Sequence, residues 1–495
     1  MTSQSLGLVP LPHTVHLLPE CPFPLTAATC VVSDTAPHLA RDAARLLGCT
    51  TTPRAGAAAI RLELTECDSQ EGYRIESGAE GVDVTARTPA GLFYATQTLR
   101  QLAGMRGLIP AAQIADHPRF AYRGFMLDVA RHFMPVETVK AVIRRIAALK
   151  LNHLHLHLSD DQGWRLEILS RPELTRRAAA SEVGGGPGGY YTQREFRELV
   201  AYAERFFVTV VPEIDMPGHT HAVSVAYPEL AEPPALVPEV LEQAEQLGQS
   251  LPQPGEAYTD YVVGFSSLKI GQEETYRFVR DVLQEVASLT PGPFLHIGGD
   301  EAKGTSSTDF RAFVTRAMQL AAATGKRPIG WHEVGPAQLP PGAVGQYWGL
   351  LSDQTDAPRT AGAVIEKGGT LILSPGDAAY LDMKYDAPTE LGLKWAGYVD
   401  VRQSYEWEPA RVLDVPEEAI LGVEAALWTE TITNLAQLDS MVFPRLAGIA
   451  EAAWSAPLGG PGRTWEEYRE RLAALGELWE ADGISFSRRP GVEWR

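Results

Sequence analysis

A chain of 495 residues is too long for one ordinary domain and suits a barrel with a smaller companion. Its 45% apolar and 21% charged residues are ordinary for a globular enzyme, and no stretch approaches the roughly twenty apolar residues of a membrane span. A formal net charge of −19 argues against nucleic acid and anionic membrane surfaces as partners, since both want basic patches, and mildly disfavours an anionic substrate.

The start, Met1 to Pro10, has no basic opening and no long apolar run, so it does not read as a signal peptide. A cytoplasmic enzyme is the expectation; an exported form whose leader was removed is the alternative. Cys21, Cys30, Cys49 and Cys67 all lie early and lack metal-type spacing. Free buried thiols are the first reading, one or two disulfides the second.

Residues 1 to 118 mix strands and helices. Ile60–Leu64 and Gly81–Ala86 alternate with the period of half-exposed strands, whereas Leu92, Tyr94-Ala95, Leu99 and Leu102 share a helical face. The pattern predicts an α+β accessory domain. Pro118, which disfavours helix at the residue before it, marks the boundary to a second domain over 119–495.

From there strand and helix signals alternate. The strands are expected at Arg123–Val129, Asn152–Leu158, Val208–Ile214, Phe294–Gly298, Pro328–Trp331, Ala343–Trp348, Thr370–Leu373 and Ile420–Ala426. Helices fall between them, one entered through Pro135 and one through the capping box Thr192-Gln193-Arg194-Glu195. Eight strands alternating with helices predict a (β/α)8 barrel, closed by a last helix through Tyr468, Leu472, Leu475 and Trp479. Gly184 to Gly189 reads as a flexible loop near the barrel mouth, because no Lys-Ser/Thr follows to make it a phosphate cradle.

Barrel chemistry sits at the C-terminal ends of strands. Asp128, Asp160, Asp215, Asp300-Glu301, Trp331, Trp348, Asp382 and Trp428-Thr429-Glu430 all fall there. Asp300 and Glu301 follow Phe294-Leu295-His296-Ile297-Gly298-Gly299. On a regular strand these neighbours would face opposite ways, but a Gly-Gly step permits a sharp turn that brings both into one cavity. The first carboxylate would then raise the proton affinity of the second, and a protonated acid beside an ionised carboxylate is what glycosidic cleavage needs. His153, His155 and His157 share one strand face, a spacing that a metal hydrolase could use. The sixth strand offers no histidine to complete such a site, so packed or supporting roles are expected, with no metal and no cofactor. Trp331, Trp348 and Trp428, from three strand ends, could wall a pocket around a small apolar group. Trp395 and Trp407 lie outside strand ends and could line an outer subsite.

Phe294 to Lys303 resembles the active-site signature of family-20 glycoside hydrolases, the β-N-acetylhexosaminidases. The blocks Arg123–Asp128, His155–Arg165, Pro212–His219, Leu381–Tyr385 and Leu427–Glu430 resemble that family's other blocks, in its order. The resemblance implies a carbohydrate substrate ending in N-acetylglucosamine or N-acetylgalactosamine. It implies Glu301 as acid–base and Asp300 as the group that orients the substrate's own 2-acetamido nucleophile. It further implies sugar contacts from Arg123, Trp331, Trp348, Tyr380, Asp382, Trp428 and Glu430, supported by Asp160, His219, Asp215 and His296. A relative specialised for a disaccharide such as lacto-N-biose, or a non-catalytic carbohydrate-binding barrel, remains an alternative; the acid pair argues against the second.

Overall fold

The computed structural model describes residues 6–52, 59–66, 69–352 and 355–494. Cys67 lies outside them. Cys21, Cys30 and Cys49 are free thiols, but only Cys30 is buried.

The N-terminal region is a six-stranded mixed sheet in the order Thr14–Leu17, Ala112–Asp116, Tyr73–Gly78, Gly81–Ala86, Ala59–Leu64, Cys30–Val32. Tyr73–Gly78 shows why it forms: its residues alternate buried and exposed, with Tyr73 and Ile75 inward. Two helices, Pro37–Leu47 and Pro89–Ala103, cover the sheet; the second starts at Pro89 under a Thr88 cap that accepts from the Gly91 amide.

The barrel strands, first to eighth, are Tyr122–Asp128, His153–His157, Thr209–Glu213, Phe294–His296, Arg327–Trp331, Val344–Tyr347, Thr370–Leu373 and Ile420–Leu427. All pair in parallel, and the eighth closes onto the first with Gly422 opposite Tyr122 and Leu427 opposite Leu127. These segments are buried on both faces, which is why they read as nearly continuous apolar runs. The capping box at Thr192 is formed, and the final helix spans Trp465–Ala481 behind a second such box at Thr464. The Gly184–Gly189 segment is not a free loop. Its backbone amides are tied to Arg131, Thr259 and Ala179 through Val183, Gly184 and Gly189, at 2.8–2.9 Å. Among the described residues no helix is long and apolar enough to cross a membrane.

A polar clamp joins the two parts. Asp116, at the end of the N-terminal sheet, is buried against Lys150 Nζ at 3.0 Å, Tyr73 Oη at 2.5 Å and Trp454 Nε1 at 3.0 Å. These donors hold its carboxyl far below the usual range despite burial.

Arg123 belongs to the same clamp, which corrects its expected role as a sugar ligand. It stands near the N-terminal end of the first barrel strand and has no exposed surface. Its guanidinium donates to both oxygens of Glu71 at 2.9 Å, to the carbonyls of Phe120 and Lys150 at 2.9 and 3.0 Å, and to Tyr94 Oη at 3.3 Å. It also lies 5.0 Å from the Trp454 ring. A group so saturated, at the end of the barrel opposite the strand C-termini, cannot reach a ligand at the mouth.

Candidate active site

The fourth barrel strand ends at His296, and the chain then turns in a way that only glycine permits. Gly298 and Gly299 have φ of +67° and +102°, and a Cβ on Gly298 would come 1.7 Å from Asp215 Oδ1. Glu301 itself holds a left-handed φ of +43°, a strained conformation fixed by its surroundings. The result is that Asp300 and Glu301 converge. His219 Nε2 lies 3.5 Å from Asp300 Oδ2 and 3.6 Å from Glu301 Oε2. The Asp300 side chain is deeper, 9% exposed against 27% for Glu301.

The protonation order differs from the sequence-based expectation that Asp300 would raise Glu301. Burial pushes both carboxyls upward. At Glu301 the imidazole of His219, 3.6 Å away, and the Lys303 and Arg131 charges outweigh it, so the pKa falls below its ordinary value. At Asp300 burial prevails over His219, with the Glu301 charge adding to it, and the pKa rises. His219 is raised well above the usual imidazole, because Asp160 and Asp300 outweigh its burial. These shifts favour the protonated form of His219 and the ionised form of Glu301.

Behind His219 a chain of acids and imidazoles crosses the barrel. His219 Nδ1 is 3.1 Å from Asp160 Oδ1; Asp160 Oδ2 is 2.7 Å from His157 Nε2; His157 Nδ1 is 2.5 Å from Glu213 Oε2. Glu213 also meets His155 Nε2 at 3.1 Å and His296 Nδ1 at 2.9 Å, and accepts from Trp331 Nε1 at 3.0 Å. One buried carboxylate thus ties together Trp331, the fourth strand and the chain leading to His219. His155, held between Glu213 and Glu424, keeps its proton up to about 9; His153, stacked on Tyr122 and fully buried without a carboxylate, falls to about 3. Sequence reading gave Glu213 no role, although it ends the third strand and stands in the Pro212–His219 block. Groups such as His155–Glu213–His296 and Asp160–Asp161–His219 have the donor chemistry of a cation site. In the first group the imidazoles stand at ion-pair distance from Glu213, and in the second His219 is hydrogen-bonded to Asp160.

Around the carboxylates stands an aromatic wall separate from the main core. Trp331, Tyr380 and Trp428 pack with Met126, Met383, Val399 and Ala426, and Trp348 lies against the cluster. Ring centroids are 5.9 Å apart for Trp331–Trp428 and 6.3 Å for Tyr380–Trp428. Trp348 Nε1 donates to Glu333 at 3.1 Å. Outside this wall Trp395 is 50% exposed and its ring stands 5.8 Å from Trp348 and 5.6 Å from Tyr380, so an outer surface is available there. Trp407 is not part of it. It is buried in the main core with its Nε1 on the Ser404 carbonyl.

The guanidinium at the mouth is Arg131, three residues beyond the first strand. It contacts Asp160 Oδ2 at 2.9 Å, lies 3.6 Å from Asp128 Oδ2, and sits 4.8 Å from the Trp428 ring. Its Nε and Nη1 have no hydrogen-bond partner among the described residues; nor do Asp300 Oδ1 and both oxygens of Asp382. Buried donors and acceptors left open on one cavity are what a polyhydroxy ligand satisfies. The signal was in the sequence: Arg131, unlike Arg123, follows the C-terminal end of its strand. Burial lifts Asp382 well above the carboxylate range and Glu430 to about 7, the latter against the pull of Arg131.

Two close carboxyls, an aromatic wall and open polar groups at the mouth of a (β/α)8 barrel define a glycoside hydrolase. Comparison with known proteins agrees. Residues 120–457 match the glycosyl hydrolase family 20 catalytic domain and residues 5–117 match domain 2 of the same family. The chain belongs to glycoside hydrolase family 20. It is 41% identical to a β-N-acetylhexosaminidase of Cellulomonas fimi, over 99% of this chain and 97% of that one. Among solved structures, a family 20 β-N-acetylglucosaminidase is 48% identical with a TM-score of 0.92, covering 99% of each chain. A mutant Streptomyces plicatus β-hexosaminidase in complex with its product GlcNAc is 44% identical with a TM-score of 0.89, covering 99% of this chain and 98% of that one.

Proposed function

We propose that the protein is an exo-acting β-N-acetylhexosaminidase that releases terminal N-acetylglucosamine or N-acetylgalactosamine with retention, the substrate's 2-acetamido oxygen serving as nucleophile. The carrying observation is the convergence of Asp300 and Glu301 on one side of an aromatic-walled pocket, with Asp300 deep and Glu301 toward solvent. The named relatives hydrolyse or bind this class of sugar.

The terminal sugar's hydroxyls meet Arg131, Asp382 and Glu430, replacing the role first given to Arg123. The open Arg131 donors and Asp382 oxygens supply the pairs. The acetamido methyl lies against the Trp331, Trp348 and Trp428 rings. Tyr380 keeps its proton because burial and the charges of Asp300 and Asp382 push its pKa well up, so it donates to the acetamido oxygen. Asp300 Oδ1 accepts the acetamido N–H and aims the oxygen at the anomeric carbon.

As the glycosidic bond breaks, a C–O bond forms from the acetamido oxygen and an oxazolinium-like cation develops. Asp300 is a poorly compensated carboxylate in the ground state, which is what its raised pKa reports. Its charge is matched only when the cation appears, so it favours the transition state over the bound substrate. The proton needed by the leaving oxygen passes from His219 through Glu301, and Glu301 then takes a proton from the incoming water. No step calls on a metal or an organic cofactor.

Proton NMR of the first-formed sugar tests the reading. The β anomer must appear first and mutarotate later; an α product would sink the mechanism.

A further inference from the structure

The described residues also enclose a cavity far from the catalytic pair, between the two domains. Its volume is about 500 Å³, within the range of small-molecule sites. One side comes from the N-terminal helices Pro37–Leu47 and Pro89–Ala103. The other comes from the barrel helix Val136–Ala148, the turn at Arg205-Phe206 and the last helix. The floor is apolar, with Leu39, Phe93, Phe206, Leu475 and Trp479 among its residues.

Its charge is opposite to that of the chain. Against a net −19 overall, the lining holds Arg45, Arg100, Arg144, Arg145 and Arg205 but only Asp42 and Asp482. Three of the arginines are committed: Arg45 to Asp42 at 3.0 Å, Arg100 to Asp482 at 2.5 Å, and Arg145 to Asp439 at 2.5 Å. Arg144 and Arg205 have no carboxylate partner among the described residues. Arg144 donates to Tyr202 Oη at 2.6 Å, and Arg205 lies 5.7 Å from the same ring, so the two guanidiniums flank one edge of the cavity. A second observation points inward. Gln97 is 5% exposed and lines the cavity, yet its side-chain amide makes no hydrogen bond among the described residues. Its amide atoms are not sealed from solvent, so they open onto the cavity, where a ligand head can take the place of water.

We infer that this cavity binds a small amphiphilic anion, a carboxylate, sulfate or phosphate head on an apolar body. The head meets Arg144 and Arg205, whose planar donors suit an oxyanion. The apolar body lies on the Phe93, Phe206 and Trp479 side, and the Gln97 amide meets the head or its first polar atoms. The ligand touches helices of both domains, so its binding holds them together and stabilises the folded chain by mass action.

Octanoate is the probe, titrated calorimetrically into the full-length protein with N-acetylglucosamine present at saturation, so that the catalytic pocket is filled. One equivalent should bind, and the thermal unfolding midpoint should rise with octanoate. 1-Octanol and inorganic phosphate, which carry the tail and the charge separately, should each bind at least about tenfold more weakly, a tenfold ratio being the effect of losing about 1.4 kcal/mol. The double variant Arg144→Met/Arg205→Met, at two exposed positions, should lose octanoate by a similar factor while hydrolysing a chromogenic substrate at the wild-type rate. Ala148→Phe fills the cavity without changing its charge and should also lose octanoate. No saturable octanoate binding overturns the inference. So does octanol or phosphate binding as tightly, or undiminished octanoate binding in either variant.

Discussion

The two arginines of the first barrel strand and its sequel provide the sharpest test, because the structure assigns them opposite duties. Arg123→Met removes a fully buried cation that holds both oxygens of Glu71, two backbone carbonyls and Tyr94. Breaking a buried pair by deleting one partner costs about 3–5 kcal/mol. The Glu71 side chain is 24% exposed and can recruit water, which places the cost at the lower end. At about 2.1 cal/mol/K per residue, cooperative unfolding of a chain this long loses about 1 °C of Tm per kcal/mol, so Tm should fall by about 3 °C. Turnover should stay within about threefold, since nothing at the mouth moves. Arg131→Met should act on turnover instead. Arg131 is buried too, but Asp160 keeps His157 and His219, so the loss of stability should be no larger than for Arg123→Met. Two charge-assisted bonds to sugar hydroxyls, each worth about 1.5–3 kcal/mol, are lost, and kcat/KM should fall about 10²–10⁴-fold. The assay is kcat/KM for nitrophenyl N-acetylglucosaminide well below Tm, beside thermal unfolding of each variant. A raised KM with unchanged Tm for Arg123→Met, or full activity for Arg131→Met, would refute the assignment.

Two further outcomes follow from the carboxyls. Glu301→Gln should lose activity most with poor leaving groups such as chitobiose and less with nitrophenol, within the ~10²–10⁴-fold worth of acid–base assistance, whereas the defect of Asp300→Asn should not depend on the leaving group; parallel slopes of kcat/KM across a leaving-group series would mean the roles are wrongly divided. Folding stability should decline as pH rises from 5 to 9. Asp439 at about 6, Glu430 at about 7 and His155 at about 9 all bind protons more tightly folded than unfolded, where they lie near 3.8, 4.5 and 6.5. His153, lowered to about 3, opposes this below pH 6.5 but is outnumbered by the raised groups. The native state therefore holds more protons across that window, and their contribution is lost as each folded pKa is passed. The depressed carboxyls, Asp116 and Asp160 among them, are ionised in both states there and weaken the fold only in acid. A Tm at pH 9 equal to or above that at pH 5 would contradict these shifts.

Local pattern alone determined most of the architecture. Period-two and period-three-to-four runs, a capping box at Thr192 and proline at helix starts are short-range signals, and each barrel strand fell within about two residues of its expected bounds. The Gly298-Gly299 step likewise announced a turn after the fourth strand, because only glycine accepts those backbone angles. Tertiary structure decided what depends on contacts distant along the chain. Arg123 and Arg131 are eight positions apart, yet one is enclosed with Glu71 at one end of the barrel and the other lies against Trp428 at its mouth. Trp407 and Trp395 look equivalent as residues, but one is enclosed by the core and the other is left half exposed. The opposite shifts of His219 and Glu301 were also out of reach. They depend on Asp160, Lys303 and Arg131 arriving from separate segments, and charge interactions are set by distance in space and burial, neither of which a sequence states.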